Sequence, residues 1–143
     1  MSARIEVKKV TASEDLKKAF SVRREVFVEE QHCPPELEWE HDDIAVHFLA
    51  TYNDMPAGAA RWRKTDKGYK LERFAVLQQY RGKKVGEALV AAVINDLPSG
   101  ASPIYLNAQV AAAGFYSKLG FNKQGDEFEE AGIQHYKMVR ILQ

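Results

Sequence analysis

The sequence predicts a mixed α/β domain, in which a twisted, mostly antiparallel sheet of about six to seven strands has helices on both faces. Three observations support this fold class. Several short segments have the apolar composition or alternation of strands, and three of them follow one another between turn-forming residues. Two longer segments place apolar residues at helical spacing. One of these helices lies between two strands, which predicts a right-handed parallel crossover.

The N-terminal part of the chain predicts a strand followed by a helix. Ile5–Val10 alternates apolar and polar residues. Thr11 precedes Glu14 by three residues, which is the spacing of a capping box. The apolar positions of the helix are Leu16, Ala19, Phe20, Val22, Val26 and Phe27. The acidic segment Glu29–Asp43, with two adjacent prolines, is predicted to be a loop.

The middle of the chain predicts three strands in antiparallel hairpins. These strands are Ala45–Tyr52, Ala57–Arg63 and Tyr69–Val76. Turn-forming residues separate them at Asn53–Pro56 and Asp66–Gly68.

The C-terminal half alternates helices and strands. One apolar helical stripe consists of Val85, Leu89, Val90, Val93, Ile94 and Leu97. We expect a strand at Ile104–Gln109, parallel to the strand that precedes the helix. A second helix is predicted at Ala111–Leu119, and the last strands at Phe121–Phe128 and Gln134–Ile141.

Composition argues against several classes of protein. The chain has 143 residues, enough for one domain with its own core. Its 20 basic and 20 acidic residues give no net charge, which argues against a nucleic-acid-binding protein. We see no signal peptide and no membrane span. Cys33 is the single cysteine, so we expect no intrachain disulfide and a cytoplasmic location.

The segment Gln79–Gly86, QYRGKKVG, connects a strand to the first turn of a helix. The N-terminus of a helix has free N–H groups and attracts anions. Gly82 and Gly86 allow a close approach of a ligand to the backbone, and basic residues lie beside them at Arg81, Lys83 and Lys84. The segment therefore predicts a phosphate or pyrophosphate site, although an ordinary basic turn would look the same. It matches neither a Walker loop nor a G-x-G-x-x-G motif.

Five segments together resemble the GNAT superfamily of N-acetyltransferases. The loop resembles the acetyl-CoA motif Q/R-x-x-G-x-G/A of that family, with Lys84 standing where a small residue is usual. The other similar segments are Leu71–Val76, Leu106–Gln109, Phe115–Phe121 and Arg23–Gln31, and Glu127–Phe128 with Ala131–His135 adds a further match to a small, mostly uncharacterised subgroup. The similarity covers nearly the whole chain and implies one N-acetyltransferase domain over residues 1–143, with a central parallel pair of strands that splay apart.

The resemblance also implies where the co-substrate acetyl-CoA binds. The expected binding residues are Phe74, Ala75, Val76, Arg81, Gly82, Lys83, Lys84, Val85, Gly86, Asn107 and Tyr116. Main-chain groups of Phe74 and Val76 would bind the pantetheine, and the N–H near Val76 would polarise the thioester carbonyl. Asn107 lies in an otherwise apolar strand, and a structural hydrogen bond is the alternative role for its amide.

Two residues are candidates for acid–base chemistry. Tyr116 would protonate the departing thiolate as general acid, and packing in the core is the alternative. Glu72 matches a position where family members place a carboxylate base, and an ion pair is the alternative. Strand alternation predicts that Glu72 and Arg73 lie on opposite faces of the sheet.

Other polar residues give weaker signals. The acidic positions Glu36, Glu38, Glu40, Asp42 and Asp43 would attract a cationic amine or form a solvated charged surface. His47 and His135 are secondary candidates for the site. The positions of His32, Cys33 and His41 fit no ordinary zinc pattern, so we expect no metal.

These observations favour an acetyl-CoA-dependent transferase that acetylates a primary amine of a small molecule or peptide by direct attack in a ternary complex. We expect no nucleic-acid or membrane partner, and a homodimer is compatible with the family. One alternative is a catalytically silent acyl-CoA-binding or regulatory protein with the same fold. Another is a nucleotide-phosphate-binding domain of a different family, which the absence of a Walker lysine disfavours.

Overall fold

The computed structural model describes residues 3–140, which form a mixed sheet of eight strands with helices on both faces. The strands are β1 Ile5–Val10, β2 Val46–Tyr52, β3 Met55–Thr65, β4 Gly68–Val76, β5 Ile104–Gln109, β6 Phe121–Lys123, β7 Phe128–Glu130 and β8 Ile133–Arg140. The helices are α1 Ser13–Arg23, α2 Pro35–Glu38, α3 Val85–Asp96 and α4 Ala113–Lys118. A π-helical stretch, Arg24–Glu30, continues α1, and short 3₁₀ turns occur at Gln78–Tyr80 and Val110–Ala112.

The strand order confirms the predicted fold class. The order is β1-β2-β3-β4-β5-β8-β6, and β7 also pairs with β8. Strands β4 and β5 are parallel, whereas the other described pairs are antiparallel. The hairpin between β2 and β3 has positive φ at both Asn53 and Asp54, as a two-residue turn of type I′ requires.

Three details of the elements differ from the sequence-based predictions, and one lies outside the described residues. The predicted loop Glu29–Asp43 contains the end of the π-helical stretch and the short helix α2, which has a proline at its start. The predicted strand Phe121–Phe128 is divided into β6 and β7 by a bend at Gly125, whose φ is 81°. Helix α1 begins at Ser13 without a side-chain cap, so the capping box of Thr11 does not form. The last predicted strand residue, Ile141, lies outside the described residues.

Each face of the sheet packs against its own helices. Helices α3 and α4 cover the face that contains Phe48, Leu71 and Leu106. Helix α1 and the start of the π-helical stretch cover the other face. There Val22 and Val26 pack in one cluster with one residue from each of three strands, Leu49 of β2, Ala59 of β3 and Ala75 of β4. Burial on both faces explains the apolar runs at residues 48–50 of β2 and 57–60 of β3.

A β-bulge in β4 fixes the geometry of the centre. Ala60 of β3 faces two residues of β4, Arg73 and Phe74, because the pairing passes from Arg61–Glu72 to Ala59–Ala75. Arg73 adopts the left-handed conformation, with φ 59°. The extra residue reverses the alternation, so that Arg73 follows Glu72 onto the α1 face. The prediction that these two residues lie on opposite faces is therefore wrong.

The parallel pairing of β4 and β5 ends just before this bulge. It joins Tyr69–Leu71 to Ile104–Leu106 and does not continue to the carboxyl ends of the strands. Both strands extend further, β4 to Val76 and β5 to Gln109, and β5 then pairs only with β8. The two strands therefore part at their carboxyl ends, which is where ligands bind in open α/β sheets.

Gly58 allows helix α3 to approach β3, and its replacement should destabilise the domain. A Cβ atom at Gly58 would lie 2.9 Å from both the Ala75 carbonyl oxygen and Leu89 Cδ1. We expect Gly58→Ala to lower the free energy of unfolding by about 1–3 kcal/mol in chemical denaturation. The matched control is Gly114→Ala, where the added Cβ meets nothing within 4 Å and the stability should stay the same or rise. Equal stability of the two variants would contradict the close packing.

Candidate active site

A cleft of about 350 Å³ occupies the gap between β4 and β5. Its walls come from both faces of the sheet. The lining residues include Val26, Phe27, Gln31, Cys33, Glu38, Arg73, Phe74, Ala75, Val76, Arg81, Asn107, Ala108, Gln109, Ala112, Tyr116, Glu130, Ala131, Ile133 and His135. The cleft therefore passes through the sheet, from the face covered by α4 to the face covered by α1 and the π-helical stretch.

The β4 wall of the cleft carries backbone groups that lie beyond the end of the pairing with β5. The N–H of Leu77 donates to the Ala57 carbonyl of β3 at 2.9 Å. Hydrogen bonds to one neighbour alternate along an antiparallel strand, so the backbone groups of Phe74 and Val76 point to the other side, into the gap. The Val76 carbonyl confirms this direction, because it accepts a hydrogen bond from Arg81 Nε at 2.9 Å. A linear ligand could continue the sheet along this edge.

The predicted anion loop lies at the end of β4 and leads into α3. Gly82 and Lys84 both have positive φ, at 76° and 70°. Lys84 precedes the helix as its N-cap and provides no side-chain cap. Its carbonyl accepts the first intrahelical bond, from Ala88, so that the N–H groups of Val85, Gly86 and Glu87 have no acceptor within the helix. These groups and the helix dipole favour an anion at this end of α3.

The side chains of the loop have different surroundings. Arg81 forms a double ion pair with Glu30 of the π-helical stretch, at 2.7 and 2.8 Å, and lines the cleft. The Lys83 ammonium lies 5.8 Å from the ring centre of Tyr52, and Lys84 is exposed. Val85 is buried in the core. Gly86 packs against Phe115, because a Cβ there would lie 3.1 Å from the Phe115 ring.

Tyr116 and Asn107 face the same gap from the β5 side. Tyr116 is buried, and its ring meets Phe74 edge-on at 6.0 Å between ring centres. Burial raises the pKa of the Tyr116 phenol, so the hydroxyl stays protonated at neutral pH. Asn107 and Gln109 alternate with the buried Ala108 along β5, and the Gln109 amide donates to Gln31 at 2.9 Å. The structure thus brings Phe74, Val76, Asn107 and Tyr116 together.

Glu72 lies outside the lining of the cleft, in a cluster of ion pairs on the α1 face. Its carboxylate lies 3.0 Å from Arg61, 2.7 Å from Arg63 and 3.0 Å from Lys70. Burial alone would raise the pKa of Glu72, but the Arg63 hydrogen bond and the charges of Arg61 and Lys70 lower it to about 2. A carboxylate held in this way is a weak base. This geometry supports the ion-pair interpretation of Glu72 and gives no support to its role as the general base.

The ion pairs continue from this cluster to the cleft. Arg61 also contacts Asp42 at 2.6 Å, and Asp42 lies 2.8 Å from Arg23. Arg23 in turn contacts Glu38 at 2.6 Å, and Glu38 lies 3.0 Å from Arg73 at the bulge. We call this chain of charges, from Lys70 to Arg73, the ion-pair ladder. It explains how charged side chains are accommodated under α1, since buried charges need partners.

The acidic segment that precedes β2 is divided between this ladder and solvent. Glu38 and Asp42 point inward, whereas Glu36, Glu40 and Asp43 are exposed. The inward pair are four residues apart, and their partner Arg23 falls inside the apolar stripe of α1. The signal in the sequence is Arg23 at an apolar position of the helical stripe, because a charge there needs a buried acidic partner.

The remaining candidates are divided between the cleft and the core. His135, Glu130 and Cys33 line the cleft, and burial raises the pKa of the Cys33 thiol, which makes it a poor nucleophile. His47 is buried beside the ladder, where its Nε2 lies 2.9 Å from the Asp42 carbonyl oxygen, and burial lowers its pKa. No group of three or more potential ligands among residues 3–140 is placed to hold a metal ion. No helix in the same range has the length and hydrophobicity to cross a membrane.

Comparison with known proteins agrees with this geometry. The family model described as "Acetyltransferase (GNAT) domain" matches residues 8–142. The chain belongs to the GNAT acetyltransferase family. A relative of this GNAT domain is the uncharacterized N-acetyltransferase YjcF of Bacillus subtilis (strain 168), which is 41% identical over 130 residues, covering 89% of this chain and 93% of the relative.

Solved structures show the same fold. The crystal structure of Escherichia coli ElaA superposes with a TM-score of 0.81 at 28% sequence identity. The match covers 96% of this GNAT domain and 100% of the ElaA chain. A GNAT family acetyltransferase from Elizabethkingia anophelis, solved with acetyl-CoA bound, has a TM-score of 0.69 at 17% identity and 94% coverage of each chain.

Acid should weaken the ladder at Glu72. The lowered pKa of Glu72 determines the pH range over which the folded protein loses this stabilisation. The pKa of about 2 in the folded protein lies below the ordinary 4.5, so the stabilisation is complete above pH 4.5 and is lost as the pH falls from 4.5 to 2. We expect Glu72→Gln to lower the free energy of unfolding by about 3 kcal/mol at neutral pH. The difference from the wild type should shrink within that range, as measured by denaturation at a series of pH values.

The control for this experiment is Glu6→Gln. Glu6 forms an exposed ion pair with Arg4 at 2.8 Å, and its loss should cost less than about 1 kcal/mol. A Glu72→Gln deficit that is the same at pH 7 and pH 3 would mean that the substitution acts through packing and not through charge.

Proposed function

We propose that this GNAT domain transfers an acetyl group from acetyl-CoA to a primary amine of a small molecule or peptide, by direct attack in a ternary complex. One observation carries the proposal. The gap between β4 and β5 exposes the backbone of Phe74 and Val76 along one edge and lies beside the N-terminus of α3, where free N–H groups favour an anion. A coenzyme with a pyrophosphate at one position and an extended, amide-containing arm at another matches both features.

In this proposal the coenzyme follows the geometry of the cleft. The N–H groups at the start of α3 and the loop at Gly82 bind the pyrophosphate. The pantetheine amides pair with Phe74 and Val76, as an added strand would. The thioester then lies near the backbone of Val76 and the Tyr116 hydroxyl. The acetyl-CoA bound by the Elizabethkingia anophelis protein of the same fold supports this choice of coenzyme.

Tyr116 has the properties of a donor to the leaving group in the proposed reaction. Attack of an amine on the thioester releases a thiolate, which a nearby O–H group stabilises by a hydrogen bond and by proton transfer. Because burial raises the pKa of Tyr116, its hydroxyl is protonated and available over the physiological pH range. The phenol lies in the gap, between Phe74 and the α4 side of the sheet.

The position of Glu72 favours a second candidate function. The Glu72 carboxylate, the candidate general base, forms ion pairs with two arginines and one lysine and does not line the cleft. Without this base, the domain could bind acyl-CoA without turnover. Release of coenzyme A in the presence of glucosamine, spermidine, lysine or a lysine-containing tripeptide separates the two functions. Turnover with any of these amines supports the transferase. Tight binding of acetyl-CoA without release in all four assays supports the silent binding protein.

Gly82→Leu should weaken coenzyme binding. Gly82 faces open space, since an added Cβ meets nothing within 4 Å, and a side chain there would fill the region above the loop. We expect the affinity for coenzyme A, measured by calorimetry, to fall at least ~100-fold, equivalent to about 3 kcal/mol.

The matched control is Gly100→Leu. Gly100 has the same backbone conformation, with φ 77°, and equally open surroundings, but it lies beyond the opposite end of α3. The two variants share the cost of a side chain at positive φ. Unchanged affinity in Gly82→Leu, or an equal loss in both variants, would contradict the placement of the pyrophosphate.

Tyr116→Phe should reduce turnover without affecting coenzyme binding. Loss of the hydroxyl removes the proton donor to the thiolate, for which we expect kcat to fall about 100-fold. The control is Tyr105→Phe. The Tyr105 hydroxyl is hydrogen-bonded to the Thr65 hydroxyl at 2.6 Å, and neither residue lines the cleft. Steady-state kinetics and calorimetry measure both effects. A Tyr116→Phe variant with full kcat would exclude Tyr116 from the chemistry.

A further inference from the structure

His135 is fixed in the cleft by contacts on several sides. It lies on β8 opposite Gln109 of β5, and opposite Phe128 of β7 on the other edge. The Phe128 ring stacks on the imidazole at 5.8 Å between ring centres, with 24° between the planes. The residue is 7% exposed and lines the same cleft as Phe74, Asn107 and Tyr116. The ring therefore has a defined position on the wall opposite β4.

The hydrogen bond at Nδ1 determines which ring nitrogen can accept a proton. Nδ1 lies 2.7 Å from the Ile133 carbonyl oxygen. A carbonyl oxygen only accepts hydrogen bonds, so Nδ1 must be the donor. In the neutral imidazole, Nε2 then has the free lone pair. This arrangement prepares one nitrogen of His135 to take up a proton.

Glu130 is placed to stabilise the protonated ring. Its carboxylate lies 3.8 Å from His135 Nε2 and is 45% exposed to solvent. A neutral Nε2 and a carboxylate are both acceptors and do not bond each other. Once Nε2 takes a proton, the carboxylate becomes an ion-pair partner with access to water. The partly exposed carboxylate of Glu130 therefore connects Nε2 to solvent.

The other titratable side chains that line the cleft, apart from Glu130 and the two arginines, are held in ion pairs or stay protonated. Glu38 contacts Arg23 at 2.6 Å and Arg73 at 3.0 Å, so its carboxylate is already used in the ladder. Burial raises the pKa of both Cys33 and Tyr116, which keeps them protonated. His135 is thus the cleft residue whose surroundings best suit a proton acceptor.

We propose that His135 is the general base of the acetyl transfer and that Glu130 is its positioning partner. This inference rests on the proposed function. His135 Nε2 takes a proton from the ammonium group of the acceptor, and the free amine then attacks the acetyl carbonyl. The C–N bond forms, the C–S bond breaks, and the thiolate takes a proton from Tyr116. The second proton of the amine nitrogen restores the Tyr116 phenol, and the proton on His135 leaves through Glu130 to water. Each turnover releases one proton.

The test compares His135→Gln with the wild type, using whichever of glucosamine, spermidine, lysine and the lysine tripeptide is acetylated fastest. We expect kcat to fall about 100-fold at pH 7, with the affinity for coenzyme A unchanged within about two-fold. The deficit should shrink as the pH rises towards the pKa of the amine, ~10.4 for a lysine side chain, because a free amine needs no base. Glu130→Gln should lower kcat less, by about ten-fold, with an unchanged KM for acetyl-CoA.

Two further variants separate chemistry from structure. His135→Ala leaves a space for free imidazole, whose addition should restore part of the lost kcat. His32→Gln alters an exposed histidine that does not line the cleft, and should leave kcat unchanged. A deficit in His135→Gln that is constant with pH and not rescued by imidazole in His135→Ala would overturn the proposal, as would a kcat within three-fold of the wild type. If the wild type binds coenzyme A but acetylates none of the four amines, the proposed function fails, and the inference fails with it.

Discussion

The parting of β4 and β5 is the constraint on which the rest of the structure depends. A parallel pair that continued to the ends of both strands would consume the backbone groups of Phe74 and Val76 in sheet hydrogen bonds. The bulge at Arg73 and the end of pairing at Leu71 keep these groups out of the sheet pairing with β5, and the Val76 carbonyl accepts from the Arg81 side chain. The same bulge brings Arg73 onto the α1 face, where it meets Glu38. One extra residue in one strand thus shapes the binding edge and adds the last charge of the ladder.

The ladder in turn holds the segment that forms the far side of the cleft. α2 is a helix of four residues between two irregular stretches. Glu38 of α2 connects Arg23 of α1 to Arg73 of β4. An ion pair of this kind contributes little net stability after desolvation, but it specifies one arrangement strongly, because leaving any member unpaired is costly. We therefore regard the ladder as a device that positions the acceptor side of the cleft.

Most of the fold could be predicted from the sequence, because its elements have strong periodic patterns. β5 was predicted at its observed bounds, and the stripe from Val85 to Leu97 marked α3. The bulge could not be predicted, since Arg73 has no glycine-like signal for positive φ. The role of Glu72 depended on which cations reach it, which is a property of tertiary structure. Similarly, the orientation of the His135 ring, with Nε2 free to accept a proton, depends on its contacts with the Ile133 carbonyl and Glu130. No spacing in the sequence indicates these contacts.

The open backbone of β4 has a consequence for solubility as well as for binding. An unpaired strand edge is normally a template for pairing with another chain, and proteins protect such edges from aggregation. Here the edge lies inside the domain, between the π-helical stretch and Arg81 on one side and β5 with β8 on the other. The space is a cleft of about 350 Å³, a volume typical of small-molecule sites and not of the groove for a second polypeptide strand. The fold thus keeps a reactive sheet edge available to small ligands while hiding it from other proteins.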